Sequence, residues 1–398
     1  MIPQKTTFVQ LNKKKLKKIV LFGSGNIAKK TIRKMGTSNI ECIVDNSVNL
    51  QGTKYLDLEI YAPEILRSKD AFIIICSTAI TEISAQLSSF GLTADKDYTI
   101  SPILNDLIAI SDLEALHAEF IFTSGTPASD EPLRGGGLYS CKVQEESVSL
   151  EKIYAGPCYG AIQRDDSVFF IDTDKGLMEY KGGKVSLVCE LPKGSRAHGI
   201  SFNQSNDRFY VSCSDTDSIL EISINYKILR ELKISDRKDS VGHAVHHTND
   251  NYAVGNSLYV SMFSSTGSWQ RDVFDGCIAE FDIKTGERLQ DICSDLYMPH
   301  NVKIYDGSIH ILDSLPGHLR YNNLSVQGTF PAFTRGLDYN AGLYYIGQSK
   351  NRNYSKVLGL SNNISIDCGV IVFNPELKAS RFIQFPYSIG EIHSIVHI

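Results

Sequence analysis

One short signature recurs six times in the second half of the chain and constrains its fold more than any other feature. It consists of a channel-type residue, a small residue and an aliphatic one, followed by a turn and a second apolar strand. The occurrences are Tyr159-Gly-Ala161, His198-Gly-Ile200, His243-Ala-Val245, His300-Asn-Val302, Arg335-Gly-Leu337 and His393-Ser-Ile395. The second strands include Val168-Phe-Phe-Ile171, Phe209-Tyr-Val-Ser212, Leu258-Tyr-Val-Ser261, Ile309-His-Ile-Leu312 and Leu343-Tyr-Tyr-Ile346. Third strands include Ser218–Ile222, Cys277–Phe281 and Gly369–Phe373. Repeats of this length, built from short alternating strands and Gly/Asn/Asp turns, predict the blades of a β-propeller.

Six signatures predict six blades. The last lies five residues from Ile398, so its blade needs strands from elsewhere in the chain. Phe120–Thr123 and Gly137–Cys141 are the expected donors, closing the ring and removing an exposed sheet edge.

In a propeller the first strand of each blade lines the central channel, so the six signature residues are expected to converge near one mouth. The small second residue lets blades approach one another at the narrow axis. The first position has no such packing demand, yet four of its six occupants are histidine and one is arginine, in a chain with only ten histidines. Neutral imidazoles at His198, His243, His300 and His393 are suited to zinc, iron or manganese, with an open position for water or substrate. The same residues also suit metal-free acid–base chemistry, with Arg335 clamping a phosphate or carboxylate and a histidine moving a proton. The bland alternative is a polar, water-filled channel. Glu391 precedes His393 by two residues and shares its strand face, as a general base or a partner of that histidine. By the same alternation His247, and not His246, shares the inward face of His243, and Tyr159 completes the ring as a ligand contact. His310 and His318 are read as packing or surface residues.

Two insertions are expected to shape the mouth. Residues 263–276 carry the only tryptophan, Trp269, with Arg271 and Asp272, a set suited to stacking on a sugar and bonding its hydroxyls. Residues 347–368 carry Lys350, Arg352 and Tyr354.

The first hundred residues follow a different pattern. An apolar run, Lys18–Phe22, is followed by Gly23-Ser-Gly-Asn-Ile-Ala28, a helical stretch to about Met35, and a second apolar run, Ile40–Val44, ending in Asp45-Asn46. A strand, a glycine turn, a helix and a second strand with a terminal acid make up the dinucleotide-binding pattern. Gly23 would allow the tight turn. Gly25, with Ser24 and Asn26, would bring backbone N–H groups to a phosphate at the helix N-terminus, and Asp45 would reach a ribose hydroxyl. A third strand, Ala71–Cys76, and a further helix follow before the pattern ends near Leu116, about half of a full dinucleotide fold. The expected fold is therefore an α/β Rossmann-like N-terminal domain over residues 1–117 and an all-β six-bladed propeller over 118–398.

A net charge of −5 argues against nucleic acid as the main partner. The nine cysteines form no CxxC pair, which disfavours a zinc ribbon and fits reduced, buried thiols. No signal-type run opens the chain and no stretch of about 18 apolar residues occurs, so a cytoplasmic protein without a membrane span is expected. Neither a nucleophile elbow nor a P-loop is present.

Two resemblances accompany these patterns. On Leu21–Ala28, Ile43–Asn46 and Gly52, the first hundred residues resemble the small nucleotide-binding domain at the front of bacterial sugar acyltransferases and other surface-glycan enzymes. That resemblance implies a nucleotide-sugar or related nucleotide ligand. The segments Met298–Asn301, Phe333–Leu337, Gly347–Arg352, Cys368–Val372 and Gly390–Ile392 resemble an uncharacterised bacterial family of propeller proteins of unknown function, often found with glycan genes. It implies that His300, Arg335, Ser349, Lys350, Arg352 and Glu391 matter.

The resulting expectation is an enzyme of bacterial surface-glycan or nucleotide-sugar metabolism, with lyase, epimerase or isomerase chemistry in the channel, with or without a metal. One alternative is a non-catalytic module that binds a glycan or protein, with the first domain regulatory or forming a homo-oligomer. Another is an NAD-dependent oxidoreductase.

Overall fold

The computed structural model describes residue 3 and residues 6–13, 18–125, 129–271, 273–350 and 364–398. The chain divides into two compact units, Met1–Leu113 and Glu114–Ile398. No helix among the described residues is long and apolar enough to cross a membrane.

The first unit is built on a six-stranded sheet in the order β3-β4-β2-β1-β5-β6. Its strands are β1 (Ile19–Phe22), β2 (Ile40–Val44), β3 (Lys54–Tyr55), β4 (Leu58–Tyr61), β5 (Phe72–Ile75) and β6 (Tyr98–Ile100). The central strands β1 and β5 are buried at every position, as their unbroken apolar sequences require of strands covered on both faces. After the short helix α1 (Phe8–Lys13), helix α2 (Asn26–Met35) follows β1 and ends at Gly36, whose φ of 77° lets its N–H bond the Ile32 carbonyl at 2.8 Å. Helices α3 (Ile80–Ser89) and α4 (Pro102–Glu114) follow β5 and β6.

The α/β Rossmann-like expectation for this unit is corrected here. The sheet is mixed, because β3 pairs antiparallel with β4 while the other pairs are parallel. Between β2 and β5 the chain runs through that hairpin and a short 3-10 helix, Pro63–Arg67, where the doubly wound pattern needs an α-helix. The physical cause is local. Leu56 and Asp57 adopt φ of 47° and 65°, a tight turn that returns the chain as a strand.

The second unit is a six-bladed β-propeller of four-stranded antiparallel sheets. Five blades are continuous in sequence, with innermost strands Cys158–Arg164, Ala197–Asn203, Thr248–Val254, Pro299–Tyr305 and Phe333–Asn340. The sixth is composite. Ser394–His397 forms its innermost strand and pairs with His117–Ser124, which leads on to Gly137–Gln144 and Ser147–Ala155. Thr123 faces Ser394 and Phe120 faces His397, so the two ends of the unit share one sheet and no blade edge is left open at the join. Asp165, Asp207 and Asp306 supply the left-handed φ at hairpin tips, a conformation that aspartate tolerates better than most residues. Apolar clusters fill the spaces between blades, such as Phe169, Ile171, Phe209 and Val211. All nine cysteines are free thiols, eight of them buried.

Candidate functional site: a histidine ring at one channel mouth

Each of the five continuous innermost strands carries one bulge at the same place. Aligning the bulges aligns Tyr159, His198, Asn249, His300 and Arg335, with His393 in the same position on the composite blade. The residues that follow, Gly160, Gly199, Asp250, Asn301, Gly336 and Ser394, are small or locally bonded, and they close the axis. A Cβ on Gly160 would lie 2.6 Å from the His198 carbonyl oxygen, and one on Gly199 would lie 2.6 Å from the Asp250 Cα. Glycine is therefore required by blade-to-blade approach. Asp250 accepts the Asn301 N–H at 2.9 Å, tying the third blade to the fourth.

This register corrects the third signature. The channel residue is Asn249, in Asn249-Asp-Asn251, and His243 lies six residues earlier on an exposed segment outside the ring. Hairpin spacing would have revealed it. Ala161 pairs with Phe170, Asn251 with Val260, Val302 with Ile311 and Leu337 with Ile346, nine residues on, and Ile200 pairs with Val211, eleven on. Val245 does not fit that spacing. Two histidines of this blade are buried: His246, whose Nδ1 lies 2.9 Å from the Ser264 carbonyl oxygen, and His247, held between Phe263 and Trp269 at ring-centroid distances of 4.4 and 4.6 Å.

The ring is compact and almost closed to solvent. Tyr159 lies 4.6 Å from His198 and 4.2 Å from His393 between centroids, and His198 lies 5.2 Å from His393 and 6.2 Å from His300. The Arg335 guanidinium stands 4.6 Å over the Phe333 ring. Glu391 links two members: its Oε2 accepts from His393 Nε2 at 2.9 Å and its Oε1 lies 3.3 Å from Arg335 Nη1. Because a carboxylate only accepts, this bond places a proton on Nε2 of His393 and leaves Nδ1 as its basic nitrogen. His300 is oriented by Nδ1, 3.0 Å from the Met298 carbonyl and 2.8 Å from Ser314 Oγ. The Ser349 hydroxyl accepts the Ile392 N–H at 3.1 Å and so positions the strand entry that carries Glu391 and His393.

Burial and neighbouring charges keep the imidazoles of His198, His247 and His300 neutral. Burial holds His198 well below the ordinary histidine range, and the neighbouring His393, His300, His247 and Arg335 add to it. Burial, reinforced by Arg335 and His393, does the same to His300. His247 is pushed down to about 3 by burial, with Arg196 and Arg335 as further causes. Burial and then Glu391 raise the Tyr159 phenol, which stays protonated. Asn249 is a ring residue that the sequence pattern did not single out, and the exposed Arg196, 3.8 Å from Asp215, acts on Tyr159 and His247 from outside the ring. Both the side-chain amide of Asn249 and Nδ1 of His198 are buried without a hydrogen-bond partner among the described residues.

The four-histidine metal set is not assembled. His243 lies outside the ring, and among the described residues no group of three or more His, Cys, Asp or Glu side chains is placed to hold a metal ion. Trp269 contributes through His247, and its Nε1–H donates to the Ala244 carbonyl at 3.3 Å. Arg271 is exposed on the short 3-10 helix Trp269–Arg271. Lys350 bonds the Tyr387 carbonyl, stands over the Tyr387 ring, and its N–H bonds the Gly390 carbonyl at 2.9 Å, so it anchors the segment leading to Glu391. Asp272, Arg352 and Tyr354 lie outside the described residues.

In the first unit, Gly23 takes a φ of 101°, with a Cβ there meeting the Cys76 carbonyl oxygen at 3.0 Å. Asp45 is engaged by the glycine loop itself. It accepts the Ser24 N–H at 2.9 Å, the Ser24 hydroxyl at 2.7 Å and the Ser47 N–H at 2.9 Å. The Ser24 amide expected for a phosphate and the carboxylate expected for a ribose thus satisfy each other, while Gly25 and Asn26 lead into α2. This arrangement does not support the nucleotide-sugar or NAD site expected at Gly23, Ser24, Gly25, Asn26 and Asp45.

The fold and the ring define a six-bladed propeller with a histidine-lined channel mouth. Residues 227–398 match the model of a domain of unknown function (DUF4915), and residues 15–97 match that of a C2185-like N-terminal domain. No curated protein matches the chain in sequence. Similar solved structures include a chain of a nidogen/laminin complex, at 12% identity and a TM-score of 0.50 over 71% of this chain and 98% of that one. A protein of unknown function from Bacteroides caccae aligns at 13% identity and a TM-score of 0.47 over 71% and 99% of the two chains. Virginiamycin B lyase from Staphylococcus aureus aligns at 11% identity and 0.42 over 71% and 99%. The first of these supports the fold; at such identity none of them speaks to chemistry.

Proposed function

We propose that the channel mouth is an acid–base site and that the protein is a lyase- or isomerase-type enzyme moving a proton at a carbon next to a carbonyl of a sugar derivative. The observation that carries this reading is the buried Glu391–His393 bond, which orients one imidazole and fixes its tautomer. His393 Nδ1 acts as the base, with Glu391 stabilising the imidazolium that forms. The protonated Tyr159 phenol, against His393, serves as the acid. Arg335 and Arg196 favour a substrate bearing a carboxylate, and the unpartnered Asn249 amide and His198 Nδ1 supply bonds to its polar groups.

The test is incubation of the full-length protein in D2O with uronic acids and nucleotide sugars, read by proton NMR for loss of a carbon-bound hydrogen. Exchange catalysed by wild-type protein and lost in His393→Asn supports the assignment. Exchange at an undiminished rate in His393→Asn removes His393 as the base. Saturable binding without exchange favours a glycan-binding module.

A further inference from the structure

The same register that builds the histidine ring builds a second ring further along the innermost strands. Three residues beyond each ring position stand Ile162, Ser201, Tyr252, Lys303, Asp338 and Val396, about 10 Å away at the rise of a β-strand. These six line two adjoining cavities of about 480 and 350 Å³, which share Ile162, Gln163, Tyr252 and Lys303. The ring contains a single cation. Lys303 is half-buried and makes no hydrogen bond or ion pair among the described residues. The nearby carboxylates are engaged elsewhere. Asp338 accepts from His397 Nδ1 at 2.8 Å, from the His397 N–H at 3.0 Å and from the Tyr305 hydroxyl at 3.2 Å, and Asp250 accepts from Asn301.

We propose that Lys303 is a reactive amine at this second mouth, forming an imine with a small aldehyde or ketone held in the cavity. The free amine is the species that reacts, and burial lowers the Lys303 ammonium from its ordinary range against the opposing pull of Asp338 and Asp250. Nζ attacks the carbonyl carbon, and the carbonyl π pair moves to oxygen, giving a carbinolamine after proton transfer from nitrogen to oxygen. Loss of that oxygen as water leaves the C=N bond, so one amine and one carbonyl yield one imine and one water. The product is cationic when protonated. Asp338 and Asp250 then stabilise it, which explains two carboxylates beside an amine that lacks a bonded partner. An anionic ligand would meet repulsion from both.

The probe is glyceraldehyde, added at neutral pH to the full-length protein, with sodium borohydride to reduce any imine and peptide mapping by mass spectrometry. Lys303 is expected to be modified faster than the exposed Lys142 and Lys193, because burial leaves more of its amine in the free, reactive form. Lys303→Met should lose that modification and keep the wild-type circular dichroism spectrum. Modification of wild-type Lys303 no faster than Lys142 or Lys193 overturns the proposal, and this comparison needs no variant.

Discussion

Replacing Glu391 by glutamine keeps the shape of the side chain and removes its charge, which isolates what the carboxylate does for the ring. In the folded protein the side chains of Arg335 and Glu391 are 9% and 4% exposed, with Nη1 and Oε1 3.3 Å apart. At an effective dielectric near 20, unit charges at that distance attract by roughly 5 kcal/mol. Desolvation of both ions offsets much of this in the intact pair, but removal of one partner strands the other charge in the interior, which costs about 3–5 kcal/mol. Glu391→Gln is therefore expected to lose about 3 kcal/mol of propeller stability, near the lower bound because the amide still accepts one hydrogen bond. Urea unfolding followed by fluorescence suits the measurement, since the single tryptophan, Trp269, packs on His247 beside the ring. The double variant Arg335→Met/Glu391→Gln should cost less than the sum of the two single changes, because neither charge is left alone. Asp166→Asn, which breaks the exposed pair with Lys181, should leave the transition where it is. A loss below about 1 kcal/mol for Glu391→Gln, or additivity in the double variant, would refute the buried-pair account.

Further outcomes follow from the same geometry. His198, His247 and His300 all have folded-state pKa values below the unfolded 6.5, so the unfolded chain binds protons that the folded one does not. Stability is complete above about pH 6.5 and falls as pH drops, by up to about 1.4 kcal/mol per pH unit for each such histidine; for His247 this continues to about pH 3. Acid unfolding of His247→Gln should show a shallower slope in that window, and an unchanged slope would count against its burial as a neutral imidazole. Gly160→Ala places a Cβ 2.6 Å from the His198 carbonyl, a backbone atom that cannot swing away, and should cost about 1–3 kcal/mol or more in chemical denaturation. Among the cysteines, Cys293 alone is partly exposed, while burial pushes Cys141, Cys213 and Cys368 up to about 12. A thiol reagent applied to native protein should modify Cys293 first, with the others reacting only on unfolding.

The recurrence of small and aliphatic residues at fixed places in successive hairpins determined the propeller by itself. No single blade of this kind can bury its faces alone, so a repeated hairpin pattern leads to a closed ring. The same pattern pointed to His198, His300, Arg335 and His393, because the first residue of an innermost strand faces the axis whatever its neighbours do. What it could not decide was register. His243-Ala-Val245 satisfied the pattern chemically, yet the strand begins at Thr248, because pairing with Leu258–Met262 fixes which residues enter the bulge. Asn249 escaped notice for the same reason, its signature being polar throughout. In the first unit the glycine turn and the terminal acid were local facts, but their partners were not. Only the folded chain brings Asp45 onto Ser24, and only strand pairing turns Lys54–Tyr61 into a hairpin between the second strand and the third expected one. The bridge of Glu391 between His393 and Arg335 joins the fifth blade to the strand Ser394–His397, which is held in place by pairing with the distant His117–Ser124. Side-chain identity is written residue by residue, whereas the 3.3 Å approach of Arg335 and Glu391 exists only once the fifth blade and the strand after it are packed together.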